Sequence, residues 1–465
     1  MPLLHVVTLL PHFRVFAVGL FKRIDKIIKI YDCTKQGFLI VLHSTPQFVS
    51  FTPSQVSQVI IKLTMHQEIL YPQLLKPAEF HDELIRNILP FWIDHMVDLE
   101  NGGFYGRIDG NEERHEKAGK SVILNTRILW TFSAAYLFTD DPRYLAIADR
   151  AYHYIKAHFI DRSFEGVFWM LDYTNRPIST KKQVYAQAFA IYAFSEYYRA
   201  TGQKEALDHG ISLFHTLEKF SFDRKYNGYL EAFDREWRLL SDFRLSEKDA
   251  NEVKTMNTHL HVLEAYTRLY SIWPDRGLKH QLENLVTLFL DKFINENYHF
   301  NLFFDEKWQL RSNTISYGHD IEGSWLLVEA ALALGDRELI HKVEEAALKM
   351  VDACLQGIDE DGALFNEKDN DNGTVDTDKH WWPQAEALVG FVSAWQVSKD
   401  EKYLHYAKKN WQFIKKHMID RKHGEWTWRV TQTHDRVNSE DKAGPWKCPY
   451  HNGRAMMELV KRLSN

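Results

Sequence analysis

The fold is indicated by a phrase that the chain repeats, seen most clearly as HFIDRSFEGVFWMLD at residues 158–172. The phrase joins the end of an amphipathic helix to an acidic turn, a glycine and then alternating aromatic residues. Such alternation is typical of a short strand or hairpin. Four further copies are HMVDLENGGFYGRID (95–109), FSFDRKYNGYLEAFD (220–234), CLQGIDEDGALFNEK (354–368) and HMIDRKHGEWTWRV (417–430).

The spacing of the marker glycines divides the chain into equal units. Neighbouring glycines are 62 or 63 residues apart within the first three copies and within the last two: Gly103, Gly166 and Gly228, then Gly362 and Gly424. The 134 residues between the third and fourth glycines hold two units, because KFINENYHFNLFFDEKW at 292–308 is a degenerate copy without glycine. The sequence therefore predicts six units of about 62 residues.

Each unit carries two helical patterns, such as VYAQAFAIYAFSEYYR at 184–199 followed by a second amphipathic segment at 206–219. One helix pair is too small to bury its apolar faces alone, so successive pairs should pack around a shared centre. Residues 80–96 form an unpaired outer-type helix and 450–463 an unpaired inner-type helix, so the two chain ends complete one pair. We predict an all-α fold: an (α/α)6 barrel of six helix pairs with short strand-like aromatic connections.

The first 64 residues differ from the rest of the chain. They contain five Lys, two Arg and two Asp but no Glu and no Trp, which gives this stretch a charge of +5. Its most apolar part is interrupted by polar residues and proline, so it predicts neither a membrane span nor a secretory signal. We expect residues 1–64 to be an extension outside the fold, Met65 to be the functional start, and residues 65–465 to form one barrel domain.

Composition limits the class of function. The 465 residues include 57 Lys plus Arg and 63 Asp plus Glu, for a net charge of −6, and 14% are aromatic. A slightly acidic chain lacks the basic face that a nucleic-acid-binding protein needs. We therefore predict neither a nucleic-acid nor a membrane partner. Three widely separated cysteines suit the reducing cytoplasm, which is the predicted compartment.

Polar residues mark the first turns of the inner helices, which are otherwise apolar. If these helices line the centre, their N-terminal turns open into one funnel, where the helix dipoles also favour anionic oxygens. Chemically diverse residues recur at this address: Arg127, Tyr185, Gln187, His261, His319, Asp320, Glu322, Trp382, Glu386, Tyr450, His451, Asn452 and Arg454. This pattern predicts a functional site rather than a core.

Histidines are the leading candidates for chemistry at this site. His319 and His451 occupy similar positions in different units, beside carboxylate, amide and Arg groups. Glu322 lies three residues after His319, so the two should share a helix face and the carboxylate should orient the imidazole. His261 and Glu264 repeat that spacing. His259 is expected to point elsewhere or to support the site from behind.

Aromatic residues near the same turns suggest a carbohydrate ligand. Trp325, Trp381 and Trp382 could each be core residues, which is the usual outcome for a Trp at helical spacing. The adjacent Trp381 and Trp382 cannot both face the same way, so at least one should reach the funnel. Sugar rings stack on aromatic faces while their hydroxyls bond to amide, Arg and carboxylate groups. A polar, aromatic-lined cleft with mixed charge therefore suits a neutral carbohydrate.

Several chemistries lack their motifs, since the chain contains no HExxH helix, GxxxxGK[ST] loop or GxSxG elbow. A metal cluster of His319, Asp320 and Glu322 is disfavoured because adjacent helical residues diverge in direction. Two reaction classes remain open. Paired histidines suit proton removal and return beside a carbonyl. Paired carboxylates, Glu322 and Glu386, would suit glycoside hydrolysis.

Five segments carry a resemblance to a known family. They are NTRILW (125–130), MNTHLHVLEAY (256–266), SYGHDIEGSWLL (316–327), KHWWPQAEALVGF (379–391) and PYHNGRAMMEL (449–459). Occurring in order and with plausible spacing, they resemble the N-acylglucosamine 2-epimerase superfamily, most closely its cellobiose 2-epimerases. The resemblance extends from about residue 80 to the C-terminus, and residues 1–64 have no counterpart in it.

The resemblance implies an isomerase that inverts C2 of the reducing-end sugar in β-1,4-linked disaccharides such as cellobiose, lactose and mannobiose, without a metal or redox cofactor. His319 and His451 resemble the acid/base pair, and Arg127 the arginine that polarises the carbonyl and enediolate oxygen. His261 resembles the histidine that assists ring opening, and Glu322 the carboxylate paired with the catalytic histidine. The residues expected to bind the sugar are Tyr185, Asn257, Trp325, Trp382 and Glu386.

Alternatives within and outside that superfamily stay open at this point. One is an N-acylglucosamine 2-epimerase or a mannose-type aldose–ketose isomerase, and another is an (α/α)6 glycoside hydrolase that uses Glu322 and Glu386. A sugar-binding toroid without catalysis is the non-enzymatic alternative. In each case the expected partner is a small carbohydrate, and we expect a monomer or weak homodimer.

Overall fold

The computed structural model describes residues 75–464 and, before them, four short strands. The chain divides into two units, Met1–Leu74 and Leu75–Asn465. In the first unit the strands form an antiparallel sheet in sequence order: β1 Arg14–Ala17, β2 Ile28–Cys33, β3 Gly37–Leu42 and β4 Phe48–Phe51. Met65, the predicted functional start, lies outside the described residues.

Six inner helices form a closed ring within residues 75–464. Each packs against the next, and the last packs against the first. Their bounds are α3 Val122–Thr139, α5 Val184–Thr201, α7 Met256–Ile272, α9 Tyr317–Leu334, α11 Trp381–Ser398 and α13 Tyr450–Ser464. In α5 every residue from Val184 to Tyr197 is buried, as expected of a helix that is surrounded by protein on all sides.

Six outer elements pack against the inner helices. They are α1 Pro77–Glu83 continuing through a π-helical turn into α2 Leu89–Met96, then α4 Pro142–Tyr154, α6 Lys204–Phe220, α8 Arg276–Leu288, α10 Arg337–Cys354 and α12 Glu401–Phe413. Helix α1 packs against α13, so the predicted pairing of the two ends of the barrel is observed. The predicted (α/α)6 barrel is confirmed.

The starts and ends of the outer helices follow local rules. Asp141, Asp275, Asp336 and Asp400 each cap a helix N-terminus by accepting a backbone N–H. Three outer helices end in further π-helical turns, Ile155–Phe159, Phe289–Phe293 and Ile414–Met418, and α10 ends in the 3-10 turn Leu355–Gly357. Each of these turns leads directly into a copy of the repeated phrase.

The repeated phrase forms the same small structure six times. In each copy one antiparallel bridge closes the turn: Val97–Phe104, Ile160–Val167, Phe222–Tyr229, Ile294–Phe300, Ile358–Leu364 and Ile419–Trp426. The five marker glycines all have positive φ, which glycine adopts at little cost. In the degenerate fourth copy Tyr298 takes this conformation, with φ 62°. The bridge therefore forms without the glycine that marks the other copies.

Short hairpins connect these phrases to the inner helices. Their strands are β5 Lys120–Ser121, β6 Met170–Leu171, β7 Pro177–Ser179, β8 Lys182–Gln183, β9 Ala232–Phe233, β10 Lys254–Thr255, β11 Phe303–Phe304, β12 Thr314–Ser316, β13 Glu367–Asp369, β14 Val375–Asp376, β15 Lys379–His380 and β16 Arg429–Val430. All their pairings are antiparallel, for example β15 with β16.

Some polar side chains on the inner helices hydrogen-bond the backbone of the repeated phrase instead of facing the centre of the ring. Gln187 accepts a hydrogen bond from Val167 N and donates one to Val167 O, at 2.7 and 3.0 Å. His259 Nε2 accepts from Tyr229 N at 2.9 Å. Asp320 and Gln384 bond the corresponding backbone in the fourth and fifth units. The prediction that Gln187 and Asp320 face the funnel is therefore wrong, because both hold a neighbouring turn.

A buried Lys–Asp ion pair recurs in five units. Its N···O distances lie between 2.6 and 3.0 Å: Lys120–Asp98, Lys182–Asp161, Lys254–Asp223, Lys379–Asp359 and Lys442–Asp420. The fourth unit has Asn295 at the aspartate position and Ile315 two residues before the inner helix, where four of the other units have lysine. Both charges of the pair are thus absent from the unit that supplies His319.

Candidate active site

Two rows of side chains at the N-terminal ends of the inner helices build the site. The second residue of four of these helices forms the upper row: Tyr185, Asn257, Trp382 and His451. The sixth residue of four of them forms the lower row: Arg127, His261, Glu322 and Glu386. Residues four apart lie on one face of a helix. The ring therefore turns both rows toward its centre, and His319, the third residue of α9, adds to them.

A cavity of about 550 Å³ opens above these rows. Eight of the ten predicted site residues line it: Arg127, Tyr185, Asn257, His261, His319, Glu322, Trp382 and His451. The rings of His319 and His451 flank Trp382, with centroid distances of 4.7 and 5.7 Å. One cavity thus collects imidazole, guanidinium, carboxylate and indole groups, and all six inner helices contribute to it.

His451 is held by a carboxylate. Its Nδ1 hydrogen-bonds Glu386 Oε1 at 2.6 Å, and Arg454 Nη2 donates to the same oxygen at 2.7 Å. Trp325 Nε1 donates to the other oxygen of Glu386 at 3.1 Å. Burial, assisted by Arg127 and Arg454, lowers the pKa of His451 well below its usual value. With its Nδ1 proton directed at the carboxylate, neutral His451 has Nε2 as its basic nitrogen.

His319 is held by a hydroxyl instead. Its Nδ1 lies 2.7 Å from Ser316 Oγ, and burial lowers its pKa to about 3. The predicted pairing of His319 with Glu322 is not observed, although the spacing of three residues allows it. Glu322 Oε1 instead accepts from Arg454 Nη2 at 2.7 Å and lies 3.9 Å from His451 Nδ1. Arg454 on α13 therefore binds the Glu322 carboxylate, which the spacing in the sequence had paired with His319.

His261 does form its predicted pair. Its Nδ1 lies 3.0 Å from Glu264 Oε2, and the other oxygen of Glu264 accepts hydrogen bonds from Arg454 and Tyr450. Burial opposes the charge on Glu264, but Arg454 and His261 outweigh it and lower the pKa of Glu264 to about 2. Arg454 thus contacts three carboxylates beneath the cavity, those of Glu264, Glu322 and Glu386.

Arg127 is a fixed positive charge on the wall of the cavity. Its Nη2 donates to Tyr185 Oη at 2.6 Å, and its Nη1 contacts Trp446 O and Cys448 Sγ. The guanidinium also lies 4.3 Å from the Phe189 ring centroid. No carboxylate bonds it within the described residues, so its charge is available to an oxyanion of a ligand.

Glu322 is a buried carboxylate that lines the cavity beside this network. Burial and the neighbouring charge of Glu386 raise its pKa to about 7, against the opposing effect of Arg454. Glu386 itself also has a raised pKa because it is buried. One oxygen each of Glu322 and Glu386 and one nitrogen of His451 lie within 4.8 Å of one another. Arg454 supplies a positive charge to both carboxylates at this point.

Two predicted sugar-binding residues lie below the cavity. Glu386 is fully buried and Trp325 is 4% exposed, and neither lines the cavity above. Trp325 instead lines a separate cavity of about 330 Å³, where its ring also packs against the Arg454 guanidinium. Both residues support the cavity from below, because Trp325 hydrogen-bonds Glu386 and Glu386 hydrogen-bonds His451. Direct contact of either with a sugar in the upper cavity is not supported.

Several lining residues were missed by the sequence reasoning. Residues 245–249 belong to a long connection after β9, and they line the cavity together with His380, Trp428, Glu440 and Trp446. Nothing in the repeat pattern marks that connection, since it lies between the periodic elements. His380 lies within the quoted motif at 379–391 and Trp446 lies three residues before the one at 449–459, so these two were the easier ones to find. Asp320, rejected as part of a metal cluster, indeed turns away and bonds His299 Nδ1 at 2.7 Å.

The fold and the site together define an (α/α)6 barrel with histidines, an arginine and carboxylates gathered in one cavity at the N-terminal ends of its inner helices. The family model for N-acylglucosamine 2-epimerase matches residues 103–455. The chain is 50% identical over 389 residues to cellobiose 2-epimerase of Bacteroides fragilis, covering 83% of this chain and 99% of that one. It is 44% identical over 391 residues to cellobiose 2-epimerase of Ruminococcus albus, covering 83% and 98%.

A solved structure agrees with these relatives. Cellobiose 2-epimerase from Bacillus thermoamylovorans superposes with a TM-score of 0.79 at 41% identity, covering 83% of this chain and 99% of that one. The chain belongs to the N-acylglucosamine 2-epimerase family. It is a carbohydrate epimerase, and the predicted family and enzyme class are confirmed. Among the described residues, no helix is both long enough and apolar enough to cross a membrane.

Proposed function

We propose that the protein inverts C2 of the reducing-end sugar of β-1,4-linked disaccharides, converting cellobiose to glucosyl-mannose and also acting on lactose and mannobiose. The observation that carries this proposal is a pair of imidazoles of lowered pKa, His319 and His451, on one cavity with Arg127. Support for the substrate comes from the relatives named cellobiose 2-epimerase, which are 44–50% identical.

The reaction proceeds through the open-chain sugar. His261, oriented by Glu264, assists ring opening by moving a proton between the ring oxygen and O1. One imidazole then removes the C2 proton, and the electron pair passes to the carbonyl oxygen to give an enediolate. Arg127 stabilises that oxyanion electrostatically. The other imidazole, protonated at the start of this step, gives its proton to the opposite face of C2. The first imidazole ends the step protonated and the second ends it neutral, so atoms and charge balance and no redox partner takes part.

The supports of the two imidazoles fit these roles. The imidazole that removes the C2 proton must be neutral, whereas the one that returns a proton must first be an imidazolium; burial favours the neutral form of both His319 and His451. When His451 becomes an imidazolium, the Glu386 carboxylate at 2.6 Å compensates the new charge. Glu322 shares Arg454 with that pair and acts on His451 more directly than on His319.

Other substrates remain to be separated from this one. An N-acylglucosamine 2-epimerase or a mannose-type aldose–ketose isomerase would use the same proton-transfer groups. A glycoside hydrolase that uses Glu322 and Glu386 is disfavoured, because both carboxylates bond the same Arg454 nitrogen at 2.7 Å. Hydrolases place their two carboxyl groups about 5 to 9.5 Å apart, on either side of the scissile bond.

The test follows cellobiose by NMR in deuterated water. We expect deuterium at C2 and a glucosyl-mannose product, with no free glucose. Incubations with mannose and N-acylmannosamine, run in parallel, separate the two alternatives of the same family. If no aldose exchanges its C2 proton, the epimerase mechanism is refuted, whereas free glucose from cellobiose would support the hydrolase.

We further propose that residues 65–465 carry the whole activity and that the protein works in the cytoplasm as a monomer or weak homodimer. Cys354 and Cys448 are free and buried, in keeping with a reducing compartment. A chain that begins at Met65 should match the turnover of the full chain to within about twofold, as expected when a terminal segment contributes no site residue. Light scattering over a range of concentrations tests the oligomeric state.

A further inference from the structure

A second cavity of about 570 Å³ joins the one that holds the histidines. Eight residues line both cavities and form what we call the throat: Leu245, Ser246, Lys248, Asp249, Asn257, His319, His380 and Trp382. Beyond the throat the outer cavity is polar, with Glu231, Asn366 and Asp376 on its walls. A ligand that extends from the inner cavity into the outer one passes the throat.

Several polar side chains of the throat have no hydrogen-bond partner among the described residues; Asn257 Oδ1 is one such group and the His380 ring is another. His319 is engaged by Ser316, and Asp249 accepts hydrogen bonds from the backbone and hydroxyl of Ser246 at 2.7 and 2.9 Å. The His380 ring makes no hydrogen bond to any described residue. On the paired strand, Arg429 lies opposite His380, and its guanidinium donates hydrogen bonds to Asp378 and Glu440. His380 is thus a half-buried imidazole on the wall of both cavities that has no hydrogen-bond partner among the described residues.

The chemistry of this ring suits a sugar hydroxyl. Burial lowers the pKa of His380 to about 4, with Asp376 opposing this shift and Arg429 and Lys248 adding to it, so the ring is neutral near pH 7. A neutral imidazole offers one donor and one acceptor, and a hydroxyl group is likewise both donor and acceptor. His380 also directly precedes α11, whose second residue, Trp382, lies between the two catalytic imidazoles.

We propose that His380 is a specificity-determining residue that hydrogen-bonds the part of the substrate extending from the reacting sugar through the throat. This assignment rests on the proposed function, because it requires a substrate longer than one sugar. His380 takes no part in proton transfer at C2, which belongs to His319 and His451. Its contact lowers the KM for a disaccharide and leaves the reacting sugar in place.

The experiment compares His380→Ala, His380→Gln and the wild type with cellobiose. Loss of one or two hydrogen bonds should raise KM about fivefold to tenfold while kcat stays within about twofold. His380→Gln keeps a donor and an acceptor and should recover much of the lost KM. His405→Ala, an exposed histidine on α12, is the matched control and should change neither parameter.

Competitive inhibitors then locate the contact. Cellobiitol and glucitol share the polyol end and differ by one glucosyl residue, so His380→Ala should weaken inhibition by cellobiitol only. An unchanged KM, a fall in kcat at constant KM, or equal weakening of both inhibitors overturns the assignment. A wild type that turns over no β-1,4-linked disaccharide overturns the proposed function as well. Normal turnover of cellobiose by both the wild type and His380→Ala overturns only this inference.

Discussion

His319 and His451 line the same cavity, but the protein supports them in different ways. His451 bonds a buried carboxylate that is itself fixed by Arg454 and Trp325, whereas His319 bonds only the hydroxyl of Ser316. A carboxylate stabilises an imidazolium, while a hydroxyl can donate or accept and so allows either neutral tautomer. The two histidines to which we assign one reaction therefore differ in how strongly the fold prepares them to hold a proton.

Removal of either imidazole should have the largest effect. We expect His319→Ala and His451→Ala each to lower kcat for epimerisation by at least about 10²-fold, because each loses one acid–base partner. Both variants should keep the thermal midpoint of the wild type within a few degrees. Turnover within tenfold of the wild type for either variant would show that a single histidine serves both faces of C2.

The same two variants can assign each histidine to one face. A single surviving base removes a proton from one epimer and returns it to the same face, which gives exchange without inversion. In deuterated water we therefore expect each variant to label C2 of only one of the two epimers, and the two variants to label opposite ones. Labelling of both epimers by one variant would contradict the division of labour between His319 and His451.

The carboxylate support should come next in size. Glu386→Gln keeps the shape and an acceptor for His451 Nδ1 but removes the charge that compensates the imidazolium. We expect kcat to fall by about 10- to 100-fold with little change in KM, the usual scale for a residue that orients a functional histidine. Steady-state kinetics with cellobiose measures this effect. A loss below threefold would mean that Arg454 and Glu322 alone set the state of His451.

The pH profile distinguishes the two histidines from ordinary ones. A lowered pKa means that the protonated form appears only at lower pH, so both imidazoles should stay neutral as the pH falls through 6.5. Because the pKa of Glu322 is raised to about 7, Glu322→Gln is the background in which to measure kcat/KM. In that variant we expect activity to hold down to about pH 5. If kcat/KM of this variant still falls as the pH drops through about 6.5, the two imidazoles are not neutral and buried as described.

The sequence predicts this barrel well because its signals are local and repeated. The glycine spacing, the apolar inner helices and the unpaired helices at either end of the barrel are each visible in one unit at a time. The direction in which each side chain of an inner helix points is not visible within one unit. Gln187 and Asp320 lie in the same turns as Tyr185 and Glu322 yet point to the neighbouring phrases, because residues one or two apart on a helix face different sides.

Long-range partners explain the remaining differences at the site. Spacing predicts both His261–Glu264 and His319–Glu322, but only the first pair forms. Arg454, 132 residues after Glu322, binds that carboxylate and leaves His319 to Ser316. A charged partner forms a stronger hydrogen bond than a neutral one, so Arg454 rather than His319 binds the Glu322 carboxylate. No pattern within one repeat could reveal a competitor on the helix that closes the ring.

The hydroxyl support should have the smallest effect, and it gives the sharpest measure of the comparison. Ser316→Ala removes one neutral hydrogen bond to His319, so we expect kcat to fall only about 3- to 10-fold. Ser316→Thr keeps the hydroxyl and should stay near the wild type. Although Ser316 precedes α9, its hydroxyl caps no backbone N–H, so the loss cannot be attributed to an uncapped helix. If Ser316→Ala lowers kcat as much as Glu386→Gln does, the hydroxyl fixes the tautomer of His319 as strictly as the carboxylate fixes that of His451. The two histidines would then be equally well supported.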